Sequence, residues 1–155
     1  MKNLLSTSVL LLLLVSCKEH TTTTTTTTVS TPTETEIVTD AKLEKACYGY
    51  DNDGSKITFD VTKTDDAVVG QLTFVLKEKD RNSGEFVGQI AGDKLMGVYT
   101  FMSEGVESKR ELAFKIDGNQ LIEGYGEMND DGTTFKDVST ISYTSNMPLI
   151  LNGCN

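Results

Sequence analysis

The chain has no tryptophan, two prolines and one histidine, and each scarcity removes a class of explanation. The lone histidine, His20, sits in a threonine-rich tract, so the part able to fold, about residues 42–155, has no imidazole for acid–base catalysis or metal ligation. Three cysteines, Cys17, Cys47 and Cys154, include no Cys-x-x-Cys spacing, which removes the common redox and zinc patterns. No nucleophile-elbow or phosphate-loop glycine pattern occurs. Lysine and arginine number 14 against 23 aspartate and glutamate. That deficit of positive charge disfavours nucleic acid and anionic membrane surfaces as partners. Long apolar runs are confined to the first 16 residues; nothing later approaches the roughly 20 residues that a spanning helix needs.

What is present begins at the amino terminus. Lys2 is followed by an apolar run that ends in Leu14-Val15-Ser16-Cys17. The run is too short to cross a bilayer and has the form of a secretory signal with a small residue before the cut. This arrangement resembles the lipobox of bacterial lipoproteins. The resemblance implies a signal peptide over residues 1–16, cleavage before Cys17, and acyl chains such as palmitate on Cys17. One chain of that kind holds a protein marginally and two or three hold it firmly, since each buried methylene contributes about 0.8 kcal/mol. The expected address is the cell envelope, as an outer membrane lipoprotein facing the periplasm or the surface. The mature chain would keep 13 basic and 23 acidic residues, a net charge of about −10.

Residues 17–41 carry eight consecutive threonines, Thr21 to Thr28, and almost no apolar surface. Such a segment cannot offset its ordering entropy by burial and reads as a disordered tether, roughly 25 to 30 Å in root-mean-square extent. Cys47 and Cys154 bracket the rest of the chain in an exported, disulfide-permissive compartment and are expected to pair. The bridge would close a loop of about 107 residues.

Beyond residue 42 the hydrophobic pattern has period two. Eight strands are expected near Ala46–Tyr50, Lys56–Thr62, Val68–Lys77, Glu85–Ala91, Leu95–Met102, Ser108–Ile116, Gln120–Met128 and Thr134–Tyr143. Between them lie Asn-, Asp- and Gly-rich turns such as Asp51-Asn52-Asp53-Gly54, Arg81-Asn82-Ser83-Gly84 and Glu104-Gly105. Alternation assigns Ile57, Phe59 and Val61, then Leu72, Phe74 and Leu76, Phe86 and Ile90, and Leu112, Phe114 and Ile116 to one inner face. Short connections imply an antiparallel up-and-down meander, and eight strands close readily into a barrel that leaves no edge exposed. An all-β, single-domain, eight-stranded barrel is the expected fold, with an open β-sandwich as the alternative.

The order of lipobox, polar tether and eight meandering strands is similar to the small lipoprotein barrels of Gram-negative envelopes, of calycin-like (lipocalin-like or avidin-like) architecture. The stretch Tyr99-Thr100-Phe101-Met102-Ser103-Glu104-Gly105-Val106-Glu107-Ser108, with Ile122-Glu123-Gly124-Tyr125-Gly126, resembles small Bacteroidota lipoproteins. That family implies no activity. The copper-resistance lipoproteins of similar architecture carry a Cys-x-x-Cys that is missing here.

Candidate chemistry is sparse. Glu123 and Glu127 form a carboxylate pair that a solvated strand face also explains. Asp51-Asn52-Asp53-Gly54 and Asn129-Asp130-Asp131-Gly132 are rich in oxygens but fit no calcium loop: with glycine at the sixth place, Gly49 would fall at the first of one and Val138 at the twelfth of the other. No metal, no cofactor and no catalysis are expected. Arg110 is more informative, because alternation sets it on the face of Leu112, Phe114 and Ile116, where a guanidinium requires a partner. Glu104, Glu107 and Glu123 are candidate partners, and Tyr50, Tyr99 and Tyr125 candidate walls of a ligand site. The bland alternative places Arg110 at the rim, paired with Glu107. Two function classes follow: a binding module for a small ligand or a protein, and a structural or stress-related envelope protein with no ligand. Inhibition of a basic lytic enzyme, as in periplasmic lysozyme inhibitors, is a further binding role that an acidic surface would suit.

Overall fold

The computed structural model describes residues 41–154. The expected signal peptide, Cys17 and the expected threonine-rich tether up to residue 40 lie outside the described residues. Eight antiparallel strands close into a barrel in strict chain order: β1 (Cys47–Asn52), β2 (Ser55–Lys63), β3 (Val68–Val75), β4 (Asn82–Ala91), β5 (Lys94–Ser103), β6 (Val106–Asp117), β7 (Gln120–Gly124) and β8 (Leu149–Leu151). Up-and-down closure is therefore the observed fold, and the open sandwich is not. The tight hairpins have the backbone their sequences demand. Asp53-Gly54 and Glu104-Gly105 take positive φ at both central positions, the turn whose twist matches that of paired strands.

Period two fills the interior. Ile57, Phe59, Val61, Leu72, Phe74 and Phe86 are buried, and Leu112, Phe114 and Ile116 continue the lining on β6. Phe59, Phe86 and Phe114 meet at the waist with ring centroids 5.3 to 6.1 Å apart. The middle of the barrel is thus a packed aromatic core rather than a chamber.

The two ends differ. The β2–β3, β4–β5 and β6–β7 turns share one end, where the chain enters: Ala41 N–H donates to Gly92 O at 2.7 Å and Leu43 is buried as a plug. Ala41, the last residue assigned to the expected tether, is thus hydrogen-bonded to the barrel. The β1–β2, β3–β4 and β5–β6 turns form the opposite mouth.

Two expectations are corrected. Thr134–Tyr143 is not the eighth strand. Asp137 Oδ1 accepts from Ser139 N at 2.8 Å and starts a 3₁₀ turn, Val138–Thr140, which breaks the extended run. The closing strand is Leu149–Leu151, which pairs with β7 on one side and β1 on the other. Likewise β7 stops at Gly124 instead of Met128, and Asn82-Ser83-Gly84 lies within β4. The β3–β4 turn sits earlier, with Glu78 at φ 59° and Lys79 N–H donating to Leu76 O.

Residues 125–143 instead form a flap outside β6 and β7. A Cβ on Gly124 would approach Ile141 Cγ2 to 2.5 Å and the Tyr143 ring to 2.7 Å, so glycine is what lets the flap lie so close. Its cover explains why Ala113, on the outward side of β6, is fully buried. At the seam, Gly49 on β1 faces Gly153 with no room for a side chain, and beside them Cys47 and Cys154 are joined by a disulfide with a Cα separation of 5.9 Å.

Candidate functional site

Arg110 is set by register. It faces Tyr99 across β5–β6, on the interior side, near the mouth made by the β5–β6 turn. Its guanidinium carbon lies 5.7 Å from the Phe74 ring centroid and 5.5 Å from that of Phe101. Phe101 stacks on Tyr99 at 4.7 Å, and Tyr99 Oη donates to Leu72 O at 3.0 Å, so the aromatic wall beside the cation is fixed. Cation–π contact offsets part of the cost of drawing a guanidinium out of water. It leaves one donor unanswered: Arg110 Nε is buried without a hydrogen-bond partner. Among the described residues, the other buried side-chain polar atom without a partner is Asn82 Oδ1, at the start of β4 on the same end of the barrel.

Glu123 is placed by β7. It is the register partner of Phe114, and so turns toward the barrel interior just before the strand ends. Burial pushes its carboxyl above the ordinary value, while the Arg110 charge and the Tyr125 hydroxyl pull it back down. Tyr125 Oη lies 3.4 Å from Glu123 Oε2 and 3.1 Å from Ser145 Oγ, and its one proton serves a single acceptor at a time. Burial also raises the Tyr99 hydroxyl, to about 12, against the lowering effect of the Arg110 charge.

The flap forms one wall of the site. Glu111 N–H donates to Thr133 O at 2.7 Å and Phe135 N–H donates to Glu111 Oε2 at 2.8 Å, which fastens the flap to β6. Gly132 N–H donates to Asn129 O, and Lys136 N–H donates to Glu127 O at 2.9 Å, holding the hairpin that precedes the 3₁₀ turn. Between flap, β6 and the end of β7 lies a cavity of about 230 Å³, lined by Arg110, Glu123 and Tyr125 with Leu112, Met128 and Phe135 as apolar wall.

No protein-family model, curated protein or solved structure matches this chain. The site must therefore be read from its own geometry. Of the sequence candidates, Arg110, Glu123 and Tyr125 share the cavity, and Tyr99 backs it through its pairing with Arg110. Tyr50 does not line the cavity; it is half-buried on β1 and packs against the core. Glu104 and Glu107 are exposed in and beside the β5–β6 turn and form no ion pair with Arg110, which corrects the rim pairing with Glu107. Glu127 is exposed and paired with Lys136 at 2.6 Å, apart from Glu123. The oxygen-rich turns are used by the hairpins themselves: Asp53 pairs with Lys77, and Asp131 accepts from Thr133.

Sequence reasoning missed Phe74 and Phe101 as the walls of Arg110, although alternation along β3 and β5 carries that signal. It had no means of finding Met128 and Phe135, because the flap that brings them over is an irregular structure. A larger cavity of about 460 Å³ lies at the opposite end, lined by Leu43, Asp65, Asp66 and Ile90. Asp65 there already pairs with Lys45, and both are exposed. No buried group without a partner lies in that lining, so the smaller cavity is the better candidate.

Proposed function

We propose that this protein is a non-enzymatic binding module of calycin-like architecture, tethered to the outer membrane through lipid on Cys17, with its ligand site at the barrel mouth around Arg110, Glu123, Tyr125 and Tyr99. The observation that carries the reading is the buried Arg110 Nε without a partner, at the edge of a cavity whose other charged lining groups are Glu111 and Glu123. Arg110 as a whole is partly exposed, and its guanidinium has further N–H donors that can serve a ligand acceptor in the cavity. A preformed concave site with a few converging polar groups on an apolar wall is the usual form of a small-molecule site. Absence of histidine from the fold, and the separate engagement of Glu127 by Lys136, weigh against acid–base catalysis.

The test is native mass spectrometry of the protein isolated from its own envelope, together with the Arg110→Gln variant. A bound species on the parent protein that is lost from the variant supports the reading. Identical, ligand-free spectra for both would favour a structural envelope protein, a role that the packed Phe59, Phe86 and Phe114 waist also suits.

A further inference from the structure

Arg110 and Glu123 border the same cavity and feel each other's charge, yet they form no ion pair. Each is held by its own neighbours. The guanidinium sits against Phe74 and Phe101, and the carboxylate lies against the Tyr125 hydroxyl, which in turn reaches Ser145. The third charged lining group, Glu111, is already engaged by the Phe135 N–H, which leaves Arg110 and Glu123 as two opposite charges held apart at one small cavity; a ligand with two opposite charges answers both, whereas a lone anion or a lone cation would answer one.

Resting on the binding reading above, we infer that the ligand is a small zwitterion of the α-amino acid type, its carboxylate on Arg110, its ammonium on Glu123 and Tyr125, and its side chain against Leu112, Met128 and Phe135. A carboxylate suits the planar fork of the guanidinium that lines the cavity. An ammonium carries three donors, enough to engage a carboxylate and a hydroxyl together. The cavity, about 230 Å³, is smaller than the roughly 300 to 1,000 Å³ typical of larger ligands and suits a molecule of this size. Its apolar wall selects an apolar side chain over a charged one.

The experiment is titration calorimetry of the full-length chain with L-leucine, L-methionine and L-phenylalanine, each compared with its N-acetyl derivative and its methyl ester. Binding of at least one free amino acid is expected, weakened tenfold or more by either modification. In Glu123→Gln the acetylation penalty should disappear while the ester penalty remains; in Arg110→Gln the reverse is expected. Circular dichroism melting of each variant confirms that it is folded, and Arg110→Lys should recover part of the affinity for the free acid. No binding of any free amino acid at millimolar concentration, or equal binding of free and blocked forms, overturns the zwitterion. Loss of that inference alone leaves intact a co-purified species that depends on Arg110, so the two readings fail separately.

Discussion

Tyr99 reaches across the barrel to donate its hydroxyl to the Leu72 carbonyl at 3.0 Å, joining β5 to β3 through the interior. The ring is fully buried, stacked on Phe101 and edge-on to Phe74, so one residue both closes the core and supports the wall behind Arg110. Tyr99→Phe keeps the ring and removes the bond. A loss of about 1 kcal/mol and a fall of a few degrees in Tm are expected, against about 3 to 5 kcal/mol for Tyr99→Ala. An unchanged Tm in Tyr99→Phe would mean that the bond contributes nothing net.

The same hydroxyl gives an alkaline signature. Its value in the fold is pushed up to about 12, against an ordinary 10, chiefly by burial. The unfolded chain therefore loses this proton at lower pH than the folded one, and stability falls between about pH 10 and 12. Titration of tyrosine absorbance should show ionisation delayed relative to Tyr99→Phe, which lacks the latest component.

Cys47 and Cys154 close the seam where the sheet is weakest, since β8 contributes only Leu149–Leu151. Their sequence separation is 107, and a loop of that length stabilises by about 4 to 5 kcal/mol in the chain-entropy account. Reduction, or Cys47→Ser with Cys154→Ser, should lower the urea midpoint by a corresponding amount. Gly49→Ala should disturb the same seam without touching sulfur, because its Cβ would collide with Gly153 O. A wild-type urea midpoint in Gly49→Ala would show that the seam has slack.

The proposed membrane attachment rests on the resemblance of Leu14-Val15-Ser16-Cys17 to a lipobox alone. Cys17→Ser is expected to move the protein from the membrane fraction to the soluble fraction after cell lysis. Retention in the membrane fraction would contradict the lipid anchor, whatever the barrel binds.

Most of the barrel was legible because period-two burial and turn chemistry agree along β2 to β6. Phe59, Phe74, Phe114 and the Asp53-Gly54 and Glu104-Gly105 turns are all where alternation and positive-φ preference put them. The last third misled for a physical reason. Thr134–Tyr143 alternates as a strand does, but the Asp137 side chain competes for the local backbone and starts a 3₁₀ turn. The better signal was the disulfide itself. Cys47 opens β1, so a bridge to Cys154 requires the residues just before Cys154 to lie beside β1, and Leu149-Ile150-Leu151 is the apolar run in that place. Arg110, Glu123 and Tyr125 could be named from sequence, whereas their enclosure could not, since it depends on the flap.

Glu123 makes the last prediction, a pH dependence of defined sign. Its carboxyl is raised above the ordinary 4.5, with burial the leading cause and the Arg110 charge and Tyr125 hydroxyl acting against it. The folded state therefore holds the proton more tightly than the unfolded chain does. Its contribution to stability is fully present below the unfolded value and is lost as pH rises through the folded value. Asp131 and Asp137 act in the opposite sense, their carboxyls lowered by hydrogen bonds from Thr133 and Ser139, so the total curve mixes both effects. Comparison with Glu123→Gln isolates the one group: the variant should melt higher than the parent at pH 7, and the difference should shrink as pH falls through the raised folded value, leaving little of it by the ordinary 4.5. A variant that melts lower at pH 7 would mean that the attraction to Arg110 outweighs burial, and that the ligand-free site is already electrostatically satisfied.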